Sequence, residues 1–178
     1  SILFFGSASG LTAREIYAQE HIPGAAFFDH QLFSDPKSDY MLMVAPEAEL
    51  SAQIGKIGIS ADTEVIVYAP EVLPAATRAW WILHYAGHKN VRILNGGLAA
   101  WKKAGGEIEQ GESHYAPVSY TGVFQPQVFA SKEEVLAAIG NSEICTLNAL
   151  MHESYQAAHI PGSWCLPSTD LTQGMDAF

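Results

Sequence analysis

The tetrapeptide His-Ile-Pro-Gly stands twice in this chain, at His21–Gly24 and at His159–Gly162, 138 residues apart (159 − 21). In the same register Glu15 meets Glu153 and Tyr17 meets Tyr155. Six matches at one offset, each set in a helix–turn–strand unit, point to duplication. The tetrapeptide also constrains the backbone. Pro fixes one dihedral angle and Gly permits a positive one, so a helix can reverse at once into a buried strand. Both histidines are then expected at helix C-termini, where a ring N–H can meet a free carbonyl.

The repeat explains an otherwise awkward length. The chain has 178 residues, somewhat more than the roughly 150 of a single domain. The remainder is too long for a tail and too short for a second domain of the same kind, and the repeat makes it the front of a second copy. With 48% hydrophobic and 16% charged residues, the chain can bury a core. Its net charge of −10 argues against nucleic acid or an anionic membrane as main partner. No apolar run is long enough to span a membrane, and the first residues do not read as a signal peptide. Two cysteines, Cys145 and Cys165, are too few for a disulfide scaffold, so a cytoplasmic, reducing location is expected.

Strand and helix signals alternate. Ile2–Phe5 reads as a short strand, and Thr12 with Glu15 forms a capping box for a helix running to about Glu20. Ala25–Phe28 reads as a buried strand. Pro46 suits the first position of a helix that ends near Gly55. Glu64–Tyr68 is β-branched and apolar, the clearest strand of the chain. Ala75–Ala86 reads as a helix closed by Gly87, and Val91–Leu94 as a strand. Asn95-Gly-Gly97 then turns into a helix carrying Leu98 and Trp101 and ending at Gly105-Gly106. This order predicts an α/β fold with a mainly parallel sheet flanked by helices on both faces. Periodicity is lost from about Glu107 to Pro126, which reads as a linker over a surface. It restarts with the capping box of Ser131 and Glu134 on a helix to about Ile139. A strand at Glu143–Leu147, a helix at Met151–Ala158 and a strand at Trp164–Leu166 follow.

The chemistry-bearing motifs are few. His84 and His88 have helical metal-ligand spacing, but Gly87 is expected to end the helix between them, so no metal is expected. Asn95-Gly-Gly97 could offer N–H groups to an anion, yet reads better as a tight strand-to-helix turn. Gly6–Gly10 has Ala8 where a nucleophile elbow needs serine, and no Walker loop or dinucleotide fingerprint occurs. No cofactor is expected. Trp80 and Trp81 read as core and domain-contact residues rather than a ligand cage. All nine Lys and Arg fall at or before Lys132, while Glu133–Phe178 holds six acids and no cation. A small-anion site built from that stretch alone would depend on backbone N–H groups.

Taken in order, the His-Ile-Pro-Gly-Ala turn, the Val65–Tyr68 strand, Arg78-Ala-Trp-Trp81, Gly87-His88, Val91–Gly97 and Trp101 resemble the first domain of a tandem rhodanese. The resemblance covers nearly all of residues 1–110, and residues 127–178 resemble the opening of the second domain. It implies rhodanese-like domain 1 over 1–110, a linker over 111–126 and a partial domain 2 over 127–178. Such proteins are thiosulfate or 3-mercaptopyruvate sulfurtransferases. One loop cysteine, with its thiol pKa lowered by loop N–H groups and a helix N-terminus, takes sulfur as a persulfide and passes it to a thiophilic acceptor. In tandem members the first domain is commonly inactive.

This chain departs from that pattern. The cysteine position after Tyr68 is Ala69, which has no sulfur to load. Tyr68 follows His21 by 47 residues (68 − 21), and the same distance from His159 gives position 206 (159 + 47), beyond Phe178. Neither Cys145, expected within a strand, nor Cys165, at the position of Phe27, replaces it, and both are expected as buried structural thiols. Where active members usually have Asp-Ala-Arg, the Arg helping to bind the anionic donor, this chain has Asn148-Ala-Leu150. No catalytic, cofactor-binding or metal residue is therefore assigned. A further strand–helix unit is expected before Ile2. The parent protein is expected to be a sulfurtransferase acting on a small anionic sulfur donor. The alternative is a degenerate rhodanese used as a protein-interaction or regulatory module. A phosphatase of related fold is unsupported, because neither cysteine begins a Cys-x5-Arg loop.

Overall fold

Gly55 and Gly87 show how the first half of the molecule closes. A Cβ at Gly55 would collide with the carbonyl of Val118, and one at Gly87 with that of Val123. Both glycines admit the same passing strap, residues 109–125. In the computed structural model, which describes residues 10–70 and 73–173, the chain divides between Pro126 and Gln127 into two compact units. The expected strand at Ile2–Phe5 lies outside the described residues.

In the first unit α1 (Ala13–Gln19) starts at Thr12, whose hydroxyl accepts from the Glu15 N–H while the Glu15 carboxylate accepts from the Thr12 N–H. The Thr12 N–H first, and the Thr12 hydroxyl second, hold the Glu15 carboxyl below the usual carboxylate range. Helix α2 (Glu47–Lys56) has Pro46 as its N-cap, one position ahead of the expected placement. Strand β1 (Val65–Val67) pairs in parallel with β2 (Val91–Ile93), Val65 opposite Val91 and Val67 opposite Ile93. Between them runs α3 (Leu73–Tyr85), the right length for a parallel crossover. Helix α4 (Gly97–Lys103) follows β2.

The core is the shared apolar face of two helices. Leu50 and Ile54 are one turn apart on α2, while Ala79, Ile82 and Leu83 line the same side of α3. Phe33, Ala45, Ala86 and Tyr120 complete it. Tyr120 belongs to the strap, which is more than a connector. The Gly111 N–H donates to the Ala18 carbonyl (2.8 Å), Val118 N–H to Gly55 (3.0 Å) and Gln125 N–H to Tyr85 (2.8 Å). The Tyr120 hydroxyl donates to the Ala86 carbonyl at 3.1 Å, and burial pushes it up to about 12.

The second unit repeats the beginning of this plan. Helix α5 (Lys132–Ala138) has the capping box expected from Ser131 and Glu134. Strand β3 (Leu147–Asn148), helix α6 (His152–Ala157), strand β4 (Trp164–Cys165) and helix α7 (Ser168–Gln173) follow. β3 and β4 are parallel, Leu147 opposite Trp164 and Asn148 opposite Cys165.

Two expected strands differ. Ala25–Phe28 pairs with no strand among the described residues, and begins in the turn closed by the Ala25 N–H on the Ile22 carbonyl (2.9 Å). The strand expected at Glu143–Leu147 starts only at Leu147. Asn141 draws the chain into a turn, its side chain accepting from the Glu143 N–H (2.9 Å) and its carbonyl from the Ile144 N–H (3.2 Å). A local side-chain bond of this kind competes directly with strand pairing. Cys145 is accordingly outside any strand and exposed, against the expectation of a buried thiol. Among the described residues no helix is long and apolar enough to cross a membrane.

Candidate functional site

The repeated turn is built identically in both units, atom for atom. His21 Nδ1 lies 2.9 Å from the Tyr17 carbonyl, and His159 Nδ1 lies 2.8 Å from that of Tyr155. Each histidine ring stacks on the tyrosine one turn before it, with centroids 4.2 and 4.0 Å apart. Each tyrosine hydroxyl then donates across the turn at 2.6 Å, Tyr17 to the Ala25 carbonyl and Tyr155 to that of Ser163. The two histidines are the helix-terminal residues expected from the sequence.

In the first unit this turn is fastened to the end of β1. The Ile22 N–H donates to the Tyr68 hydroxyl at 3.0 Å, and burial raises that phenol above its ordinary range. Ala69 follows, at the point where β1 leads into α3. Its carbonyl accepts from the Leu98 N–H at 3.3 Å, and Gly97 passes so close that a Cβ there would lie 2.5 Å from the same oxygen. Asn95-Gly-Gly97 is thus the tight turn that lets α4 start against the loop, with Gly96 and Gly97 both at positive φ (74° and 55°). Pro70 continues the loop, while Glu71 and Val72 lie outside the described residues.

A cavity of about 410 Å³ opens beside this loop. Tyr17, Phe28, Ile66, Tyr68, Ala69 and Pro70 are among its lining residues. Its charged lining is acidic, Glu20, Asp29 and Glu64, with no Lys or Arg among the described residues. Glu20 is paired with Lys102 and Glu64 with Arg92, so two of the three charges are balanced and the wall suits neutral, apolar groups.

Arg78 and Arg14 are held by groups away from the cavity. The half-buried Arg78 guanidinium donates to Ser34 Oγ (3.1 Å) and to the Leu42 carbonyl (2.7 Å), and burial lowers its pKa. Leu42 has a φ of 61°, which presents that carbonyl. Arg14 pairs with Glu112 at 2.8 Å and Lys102 with Glu20 at 2.7 Å. The structure does not bring His84 and His88 together as ligands. His84 stacks on Trp80, and the buried His88 points Nε2 at the Thr63 carbonyl, 2.8 Å away. Trp80 bonds the Val91 carbonyl at 3.2 Å, while Trp81 packs against the core.

In the second unit Asn148 Oδ1 accepts from the Leu150 N–H at 2.9 Å, and Leu150 is exposed. Cys165 is half-exposed rather than buried, because β4 lies at the surface of its unit. Its sulfur meets His152 Nδ1 at 3.3 Å. Sequence reasoning missed this contact, since the two residues belong to separate elements brought together by the turn. The repeat register held a signal, because His152 and Cys165 stand where Arg14 and Phe27 stand in the first unit.

The rhodanese-like domain profile matches residues 11–104. The chain belongs to the rhodanese family. It is 30% identical over 173 residues to the thiosulfate sulfurtransferase of Gallus gallus, covering 90% of this chain and 60% of that one. It is likewise 30% identical over 175 residues to the 3-mercaptopyruvate sulfurtransferase of Mus musculus, covering 91% and 59%. The crystal structure of SseA from Escherichia coli, a 3-mercaptopyruvate sulfotransferase of rhodanese fold, superimposes with a TM-score of 0.86 at 29% identity. That superposition covers 96% of this chain and 71% of SseA. The chain thus spans about 60% of the length of these curated relatives. At the level of the family it is a rhodanese-like sulfurtransferase relative with the α/β fold expected from the sequence.

Proposed function

We propose that the protein serves sulfane-sulfur transfer from thiosulfate or 3-mercaptopyruvate to a thiophilic acceptor, and that its first rhodanese domain is the non-catalytic one. The observation carrying this reading is Ala69, the residue between β1 and α3. The family's reaction needs a sulfur nucleophile in that loop, and a methyl group supplies none.

Residues 1–110 are then domain 1, residues 111–126 a connection that packs on domain 1 as its strap, and residues 127–178 the opening of a second domain. The catalytic cysteine loop belongs outside these 178 residues. The donor is a small anion, the acceptor a thiol or another thiophile, and further partners are proteins rather than nucleic acid or membrane; the two free thiols support a cytoplasmic, reducing setting. A specific observation favours a second role for domain 1: its cavity is apolar and intact without a cysteine, as a protein-interaction or regulatory module requires.

The test is turnover. The 178-residue chain, given thiosulfate or 3-mercaptopyruvate and then cyanide, is expected to form no thiocyanate. The product of the full reading frame is expected to form it through a persulfide visible as one added, reductant-labile sulfur in the intact mass. Thiocyanate formed catalytically by the 178 residues alone overturns the assignment.

A further inference from the structure

Three side chains from three elements meet in the second unit. Cys165 ends β4, His152 opens α6 and Asp170 lies in the first turn of α7. Cys165 Sγ is 3.3 Å from His152 Nδ1, and the other ring nitrogen, Nε2, is 3.5 Å from Asp170 Oδ2. The Asp170 carboxylate, 3.5 Å from Nε2, favours the tautomer with its proton there, which leaves the Nδ1 lone pair to the sulfur. The thiol is therefore the donor in the Cys165–His152 contact. The His152 and Asp170 side chains are 61% and 49% exposed, and Cys165 is half-buried beside them.

The duplicated architecture provides a comparison within one chain. At the 138-residue offset His152 corresponds to Arg14 and Cys165 to Phe27. There the Arg14 guanidinium carbon sits 4.8 Å over the Phe27 ring, a packing contact with no proton to move. In the second unit the same two positions hold an imidazole and a thiol instead. Cys145 serves as a reference, being exposed with no hydrogen-bond partner among the described residues.

We propose that Cys165 is a thiol-modification site, with His152 as its base and Asp170 as a positioning residue, taking low-molecular-weight disulfides as co-reactant. The Cys165 proton passes to His152 Nδ1. The thiolate attacks one sulfur of the disulfide, a new Sγ–S bond forms as the old S–S bond breaks, and the departing thiolate takes the proton back from the imidazolium. One disulfide and one thiol are consumed and one of each is produced, so no further oxidant enters. Asp170 holds the ring in its reactive tautomer and balances the transient imidazolium charge. This site is independent of the sulfur-transfer reading.

The test uses the reduced 178-residue chain as C145S and as C165S, each with a single thiol. Each is exposed to glutathione disulfide over a pH series and followed by intact mass. Cys165 is expected to react about tenfold faster than Cys145 near neutral pH, with a pH–rate profile of different shape. His152→Gln in the C145S chain should bring both rate and profile to those of Cys145, and Asp170→Asn should lower the rate part of the way. Circular dichroism reports whether each variant keeps its fold, and if the His152 variant does not, the two parent profiles decide. Equal rates with superimposable profiles for Cys145 and Cys165 overturn the proposal, as does a Cys165 profile untouched by a folded His152→Gln.

Discussion

His21 and His159 make the same two contacts with tyrosine but sit in different surroundings. His21 is 1% exposed and its Nε2 faces Ser113 Oγ (3.4 Å) and Glu109 (3.5 Å), both on the strap, whereas His159 is exposed. Removing a buried hydrogen-bonding group leaves its partners unsatisfied, while an exposed one is replaced by water. His21→Ala is therefore expected to cost about 2–3 kcal/mol in urea unfolding and His159→Ala under about 1 kcal/mol. Equal losses would mean that the strap adds nothing to the turn.

His30 carries the pH prediction at this scale. Burial first, and the nearby Arg78 charge second, push it down to about 4. An unfolded histidine titrates near 6.5. Between these values the unfolded chain binds a proton that the folded one refuses, so the contribution of His30 is complete above about 6.5 and is lost as pH falls toward 4. The urea midpoint should drop between about pH 7 and pH 5, and His30→Asn should flatten that part of the curve. An unchanged slope in the variant would assign the acid sensitivity to other groups.

At the scale of elements the strap decides most. Tyr120 is the only one of its residues in the buried core cluster, and its hydroxyl reaches the carbonyl that ends α3. Tyr120→Phe keeps the ring and removes one buried bond, with an expected cost of about 1–2 kcal/mol in thermal or urea unfolding. A neutral result would show water taking the place of the hydroxyl. Legibility from sequence also divides by element. Both capping boxes, the β1 and β2 strands and the His-Ile-Pro-Gly turns depend on neighbours within a few residues and are found where expected, although the first turn leads into no paired strand among the described residues. The strap carries no periodicity, because its contacts go one at a time to glycines and helix ends far along the chain. Cys165 was misread for a related reason: burial depends on what covers a strand, and the strand's own residues do not state that.

At the scale of the whole molecule the two units differ in how much they bury. The core cluster lies wholly in the first, while the second buries Ala138, Ser163 and Pro167 and leaves Leu147 and Trp164 exposed (56% and 70%). Opening free energy follows buried apolar contact. Amide hydrogen exchange should therefore be slowest at Ile54, Ile82 and Leu83, and at least tenfold or so faster at Trp164 and Leu166 despite their strand bonds. Uniform protection across both units would contradict the division between Pro126 and Gln127. The turn at Ala69 was legible because it lies between two strongly patterned elements, whereas the thiol–imidazole contact forms only in the folded chain.

The strap has a consequence for the order of events on the ribosome. Helices α1 to α4 are all synthesised before Lys103 is passed, yet their mutual packing is completed by residues that emerge later, up to Gln125. The first unit cannot finish its core until translation has reached the edge of the second. A pause or a cleavage between those points would leave the core cluster without Tyr120 and its apolar side chains open to chaperones and to aggregation.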